Sequence, residues 1–146
     1  MTTKIIVSGG FDPVHVGHLR MFKEASKIGD VIVLLNDDEW LKRKKGYSFM
    51  SFEDRKEIIE GFSCISEVWN FENDSLGSAN NGLIKVAQKY PHEKLIFANG
   101  GDRTKENIPE IPICEKYNIE MLWNIGGGKE RSSSDLVKNA RLIPKD

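Results

Sequence analysis

Five strand-length apolar runs, at 4–8, 31–35, 67–71, 94–98 and 119–123, are each separated from the next by a stretch long enough for a helix. A chain that crosses over by a helix after every strand lays its strands parallel. Parallel strands are covered on both faces, so they read as unbroken apolar runs such as Ile5-Ile6-Val7 rather than as alternating ones. The helical candidates are 18–27, 51–62, 82–89, 109–117 and 134–141. Leu19, Phe22 and Ala25 place an apolar stripe on one face of the first, and Ile58, Ile59 and Phe62 do so in the second. Ser51 with Asp54 three residues on marks a helix start, and Gly61 falls near that helix's end. The pattern predicts a doubly wound α/β fold: a five-stranded parallel sheet with helices on both faces.

With 146 residues, no internal repeat and no low-complexity linker, one domain over 1–146 is expected. The net charge of -1 supplies no bulk positive field, which argues against nucleic acid as partner and requires any polyanion to be held by a local site. Cys64 and Cys114 are far apart and form no Cys-x-x-Cys pair, so reduced, packed thiols are expected, with no zinc site and no disulfide. His92 stands isolated beside Pro91. Met1 to Lys4 runs into the first strand without a signal-peptide pattern, and no apolar stretch is long enough to cross a bilayer. A cytoplasmic protein without membrane partners is the expectation.

The decapeptide Gly9-Gly10-Phe11-Asp12-Pro13-Val14-His15-Val16-Gly17-His18 directly follows the first strand. Two glycines permit close backbone approach, two imidazoles flank Gly17 at i and i+3, and Leu19-Arg20-Met21-Phe22 opens a helical pattern. Backbone N–H groups, a helix N-terminus and two rings able to carry charge converge on one point, which suits a polyanion such as a nucleoside triphosphate. A surface pair of histidines beside a glycine turn is the plainer alternative, disfavoured by the strand before and the helix after.

These residues resemble the His-x-Gly-His signature of the cytidylyltransferase-like nucleotidyltransferases, which join a nucleoside monophosphate to a phosphorylated acceptor and release pyrophosphate. The resemblance implies a Rossmann-like fold and extends through three more segments. Asn36-Asp37-Asp38 and Lys44-Lys45-Gly46 follow the second strand; relatives carry a basic element there, which points to Lys45 as the phosphate-contacting lysine, with Lys42 and Lys44 as competitors. Asp37 and Arg55 are candidates for the acceptor, although Arg55 equally suits a solvated helix face. Asn99-Gly100-Gly101-Asp102-Arg103 resembles the Gly-Gly-Asp segment of the heptose-phosphate adenylyltransferase branch, and Asn99, Gly101 and Asp102 are expected at the nucleotide; a tight turn ending a strand is the other reading. Glu130-Arg131-Ser132-Ser133-Ser134 resembles the family's second signature, with Arg131 where many relatives have isoleucine. Ser132, Ser133 and Ser134 at a helix start would complete a phosphate cradle, while capping alone explains one of them. Gly126-Gly127-Gly128-Lys129 fails as a P-loop because Glu130 follows the lysine.

By this resemblance the catalytic set is His15, His18, Lys45 and Arg131, with Gly9, Gly10, Phe11, Asp12 and Gly17 also at the nucleotide. His18 is expected at the α-phosphate and His15 at the α–β bridge, both as hydrogen-bond donors. Mg²⁺ would accompany the triphosphate, held mainly by phosphate oxygens and water, with Asp12 nearby and no metal site of protein ligands alone. CTP and ATP both remain open as donors, and glycerol 3-phosphate or a sugar phosphate as acceptor. A homodimer is implied by analogy. A nucleotide-binding module without catalysis is the alternative function.

Overall fold

A computed structural model describes residues 2–100 and 108–125. The strands are β1 (Thr3–Gly9), β2 (Asp30–Leu35), β3 (Ile65–Trp69), β4 (Lys94–Gly100) and β5 (Glu120–Ile125). Between them run α1 (Val16–Ser26), α2 (Asp38–Lys45), α3 (Phe52–Glu60), α4 (Asn80–Lys89) and α5 (Ile111–Lys116). The five strands form one sheet in the order β3-β2-β1-β4-β5, and every neighbouring pair is parallel. The chain therefore builds outward from β1 on one side, then returns to place β4 on the other. That reversal leaves a crevice beyond the carboxyl ends of β1 and β4, where ligands of such sheets bind.

Burial on both faces explains the continuous apolar runs. Ile5 and Val7 of β1 and Val31, Val33 and Leu35 of β2 pack with Phe22 and Ala25 of α1 and Ile59 of α3. Ile6, Ile32 and Leu34 point the other way, to Leu83 and Val86 of α4 and Cys114 of α5. The expected doubly wound architecture is thus present. Cys64 and Cys114 are free thiols, and burial, aided by the nearby Glu110 carboxylate, pushes the Cys114 thiol up to about 12.

Three local expectations need correction. The charged run after β2, absent from the expected helices, forms one: Asp37 caps α2 by accepting the Trp40 N–H at 2.8 Å, and Gly46 ends it at φ 86°. Asp38 and Glu39 lie in its first turn and Lys42 to Lys45 in its last, the order that the helix dipole favours. The third strand runs two residues earlier than expected, because Phe71 packs into the core from a loop instead of from the sheet. Finally, α1 begins at Val16 rather than His18, since His15 is itself the cap. Ser51 caps α3 as expected, through its hydroxyl and the Asp54 N–H.

Candidate functional site

The site is built at the carboxyl end of β1, where the chain enters α1. Gly17 N–H donates to His15 Nδ1 at 3.1 Å, and His15 N–H donates to His18 Nδ1 at 3.2 Å. The two imidazoles thereby form a reciprocal capping box, each satisfying one backbone donor that the helix start leaves over. Their rings stack with centroids 3.8 Å apart and planes inclined by 23°. The consequence for chemistry is a fixed tautomer. A nitrogen that accepts from an amide carries no proton, so in each neutral ring the proton sits on Nε2, and Nε2 is the donor.

Gly17 is required by the histidines themselves: a Cβ there would lie 2.9 Å from His15 Cε1. Gly17→Ala is therefore expected to displace the His15 ring and lower activity by an order of magnitude or more while leaving the sheet intact. Turnover assayed beside far-ultraviolet circular dichroism checks this.

Gly9 and Gly10, read from the sequence as room for a ligand, are packed against the protein's own side chains. A Cβ at Gly10 would stand 2.6 Å from Leu41 Cδ2, and one at Gly9 3.1 Å from the Phe11 ring. Phe11 is likewise corrected. It is buried, holds φ at 49°, and meets His18 edge to face at 4.8 Å and Phe22 at 5.3 Å. It is a support beneath His18, with no face left for a base.

Asp12 is a buried latch. Its carboxylate accepts the Phe49 N–H at 2.7 Å and the Met50 N–H at 2.5 Å, and Lys45 Nζ lies 3.1 Å from its Oδ2. Lys45 also donates to the Asp12 carbonyl at 2.7 Å. Lys45 is thereby held on the motif loop, and Lys44 lies over the Trp40 ring at 4.6 Å. Both Asp12 carboxylate oxygens are thus engaged within the protein. Among the described residues no cluster of three or more His, Cys, Asp or Glu could hold a metal.

Arg55 is not open to an acceptor, and Asp37 is already engaged within the protein. Arg55 is fully buried and donates from Nε to the Met50 carbonyl at 3.0 Å, and from Nη1 to the carbonyls of Gly10 and Asn36, both at 2.7 Å. Its Nη2 pairs with Asp38 Oδ1 at 2.8 Å. It ties the motif loop, the end of β2, the start of α2 and the turn before α3 to one point. Asp37 is occupied by its helix cap and by the Asn73 amide at 3.0 Å. Sequence reasoning missed this scaffold, along with the buried Asn36 and Glu110. Gly101, Asp102, Arg131, Ser132, Ser133, Ser134, the helix expected at 134–141 and the side chain of Asn99 lie outside the described residues.

Two carboxylates tie the stability of the fold to pH. Burial raises the Asp38 carboxyl, but hydrogen bonds from Arg55, Ser48 and the Phe52 backbone outweigh it and hold the group below its ordinary 3.8. Asp74 is held below 3.8 in the same way: burial raises it, and bonds from the Ser78 hydroxyl and from the backbone of Ser78, Leu76 and Gly77 prevail. In both cases the unfolded chain binds the proton first, so the stabilisation is complete above the ordinary carboxylate range and is lost as pH falls through the lowered value. The melting temperature is expected to fall as pH drops below about 4, less steeply in Asp38→Asn. Thermal melts from pH 7 to 3 measure it.

Comparison with known proteins bears on this geometry. Residues 6–137 match the sequence model of the cytidylyltransferase-like family. The chain belongs to that family. Curated relatives include the bifunctional protein HldE of Syntrophotalea carbinolica, 30% identical over 141 residues, and that of Pelobacter propionicus, 30% over 139 residues. The matches cover 93% and 92% of this chain and 26% of each relative, so the chain spans about a quarter of their length. Among solved structures, a bifunctional NMN adenylyltransferase/ADP ribose pyrophosphatase from Francisella tularensis superposes with a TM-score of 0.68 at 16% identity, over 99% of this chain and 44% of that one. A putative nicotinate-nucleotide adenylyltransferase from Vibrio parahaemolyticus gives 0.62 at 18% identity, over 100% and 90%. These two share the fold of this chain.

Proposed function

We propose that the chain catalyses nucleotidyl transfer: an acceptor phosphate oxygen attacks the α-phosphorus of ATP or CTP. The new O–P bond forms as the bond from the α-phosphorus to the bridging oxygen breaks, and the electron pair leaves with pyrophosphate. The observation that carries this reading is the histidine pair, whose Nδ1 atoms are both committed to backbone N–H groups at the start of α1. Nε2 is then a donor in each ring. Two stacked donors at a helix N-terminus suit charge that grows on the bridging and equatorial oxygens, and their fixed geometry needs no rearrangement as that charge develops. Lys45, held on the same loop by Asp12, adds a positive charge beside them. Mg²⁺ would be held through the triphosphate and water, where it neutralises phosphate charge.

The acceptor is a phosphorylated sugar or polyol, a reading supported by the likeness to the HldE proteins. The test is pyrophosphate release with magnesium, crossing ATP, CTP, GTP and UTP against glycerol 3-phosphate, sugar 1-phosphates, phosphocholine and phosphoethanolamine. Release that depends on one nucleotide and one acceptor is the expected result. Nucleotide binding with no release across the whole grid would instead support a binding module.

A further inference from the structure

We infer that Asn36 determines acceptor specificity, its carboxamide reading the hydroxyl groups of the acceptor together with Asn80 and Asn73; this rests on the transfer reading above. The Oδ1 atoms of these three side chains are buried and accept no hydrogen bond among the described residues. Asn36 is 5% exposed. A buried amide oxygen without a donor costs stability, and native proteins keep few of them. Three in one region point to a ligand that brings donors.

All three fall on the α4 side of the sheet near the end of β2, where they would form one wall of the acceptor site. In β2, Val31, Val33 and Leu35 face α1 and α3, while Ile32 and Leu34 face α4 and α5. Alternation carries position 36 to the α4 side. There the first turn of α4 packs on Leu34, so closely that a Cβ at Gly82 would lie 2.8 Å from Leu34 Cδ1. Asn80, two residues before Gly82, therefore stands near the end of β2. Asn73 joins them through its bond to Asp37, and the Asn81 amide donates to the neighbouring Glu72 carbonyl at 3.0 Å.

The charge of this wall selects which end of the acceptor it takes. The N-terminus of α4, ordinarily attractive to a phosphate, is already capped by the buried Glu110 carboxylate, which accepts the Ala79 N–H at 2.9 Å. Asp37 adds a second carboxylate nearby. Amide and carboxylate oxygens repel a phosphate and accept from hydroxyls. The histidines and α1 lie on the opposite face of the sheet, across the end of β1. In-line displacement needs nucleophile and leaving group on opposite sides of the α-phosphorus. An acceptor anchored by hydroxyls on the α4 side, with its phosphate reaching over Gly9 and Gly10, meets that demand.

Asn36→Leu tests the inference, because leucine preserves the volume and removes the polar atoms. The unliganded variant is expected to melt at or above the wild-type temperature. Its KM for the acceptor should rise tenfold or more with KM for the nucleotide unchanged, and it should lose the wild-type preference for glycerol 3-phosphate over propyl phosphate, which has no hydroxyl. A drop of several degrees in melting temperature, or an unaltered preference, would overturn the inference. Should wild type transfer to no acceptor, the transfer reading fails and thermal shift with mannose 1-phosphate still decides. Stabilisation of wild type but not of Asn36→Leu supports the hydroxyl site; an equal or absent shift in both overturns it.

Discussion

Alanine in place of His18 is expected to reduce turnover by about 10² to 10³, the usual loss when one donor to a developing charge is removed. The capping geometry allows a sharper experiment than alanine alone, because the two ring nitrogens have separate tasks. Nδ1 accepts the His15 N–H, and Nε2 carries the proton that the proposed reaction would offer to phosphate. Asparagine mimics the first position and glutamine the second. His18→Asn should keep the capping bond and melt near wild type, yet lose turnover almost as fully as alanine. His18→Gln should lose the cap, about 1 kcal/mol and a few degrees of melting temperature, and retain more turnover. Parallel melts and pyrophosphate-release rates check the pair. If both variants lost stability and activity in proportion, His18 would be a structural residue whose contribution to chemistry is indirect.

How much of this site the sequence disclosed depends on the range of the interactions involved. The sheet was legible because burial on both faces leaves unbroken apolar runs such as Ile5-Ile6-Val7. The histidine pair was legible because its spacing is local: cap, glycine and second ring lie within four residues. Helix α2 was harder, since Leu41 is its only fully buried residue and a run of four basic side chains resembles solvent-facing chain. The glycines showed the need for space but not its occupant. At Gly10 the occupant is Leu41, thirty-one positions on, and at Gly77 it is Trp40, whose indole donates to the Gly77 carbonyl at 2.8 Å. Asp12 was expected at the nucleotide, and a sequence cannot show that the amides of Phe49 and Met50 fold over it. Non-local pairing of this kind decides whether a polar residue faces substrate or scaffold.

Arg55 makes that distinction measurable. Read from sequence, it is an acceptor contact or a solvated charge, and each would make substitution nearly neutral for stability. The structure instead buries it completely, with three carbonyls and the Asp38 carboxylate as partners. Arg55→Ala would leave those groups facing a cavity, and removing one member of a buried ion pair typically costs 3–5 kcal/mol. Asp38 keeps 37% side-chain exposure and can recover water, so the expected loss is toward the lower end, about 3 kcal/mol. Arg55→Lys retains the charge but not the fork that spans carbonyls from three segments, and should recover only part of it. Urea denaturation followed by tryptophan fluorescence measures both. The discriminating quantity is the acceptor KM of Arg55→Lys at a temperature where it remains folded. A scaffold residue predicts marked destabilisation with no selective change in that KM; an acceptor contact predicts the reverse, a raised acceptor KM with stability almost intact. Since Arg55 holds the Gly10 carbonyl at the foot of the histidine loop, whatever activity is lost should fall on nucleotide and acceptor alike.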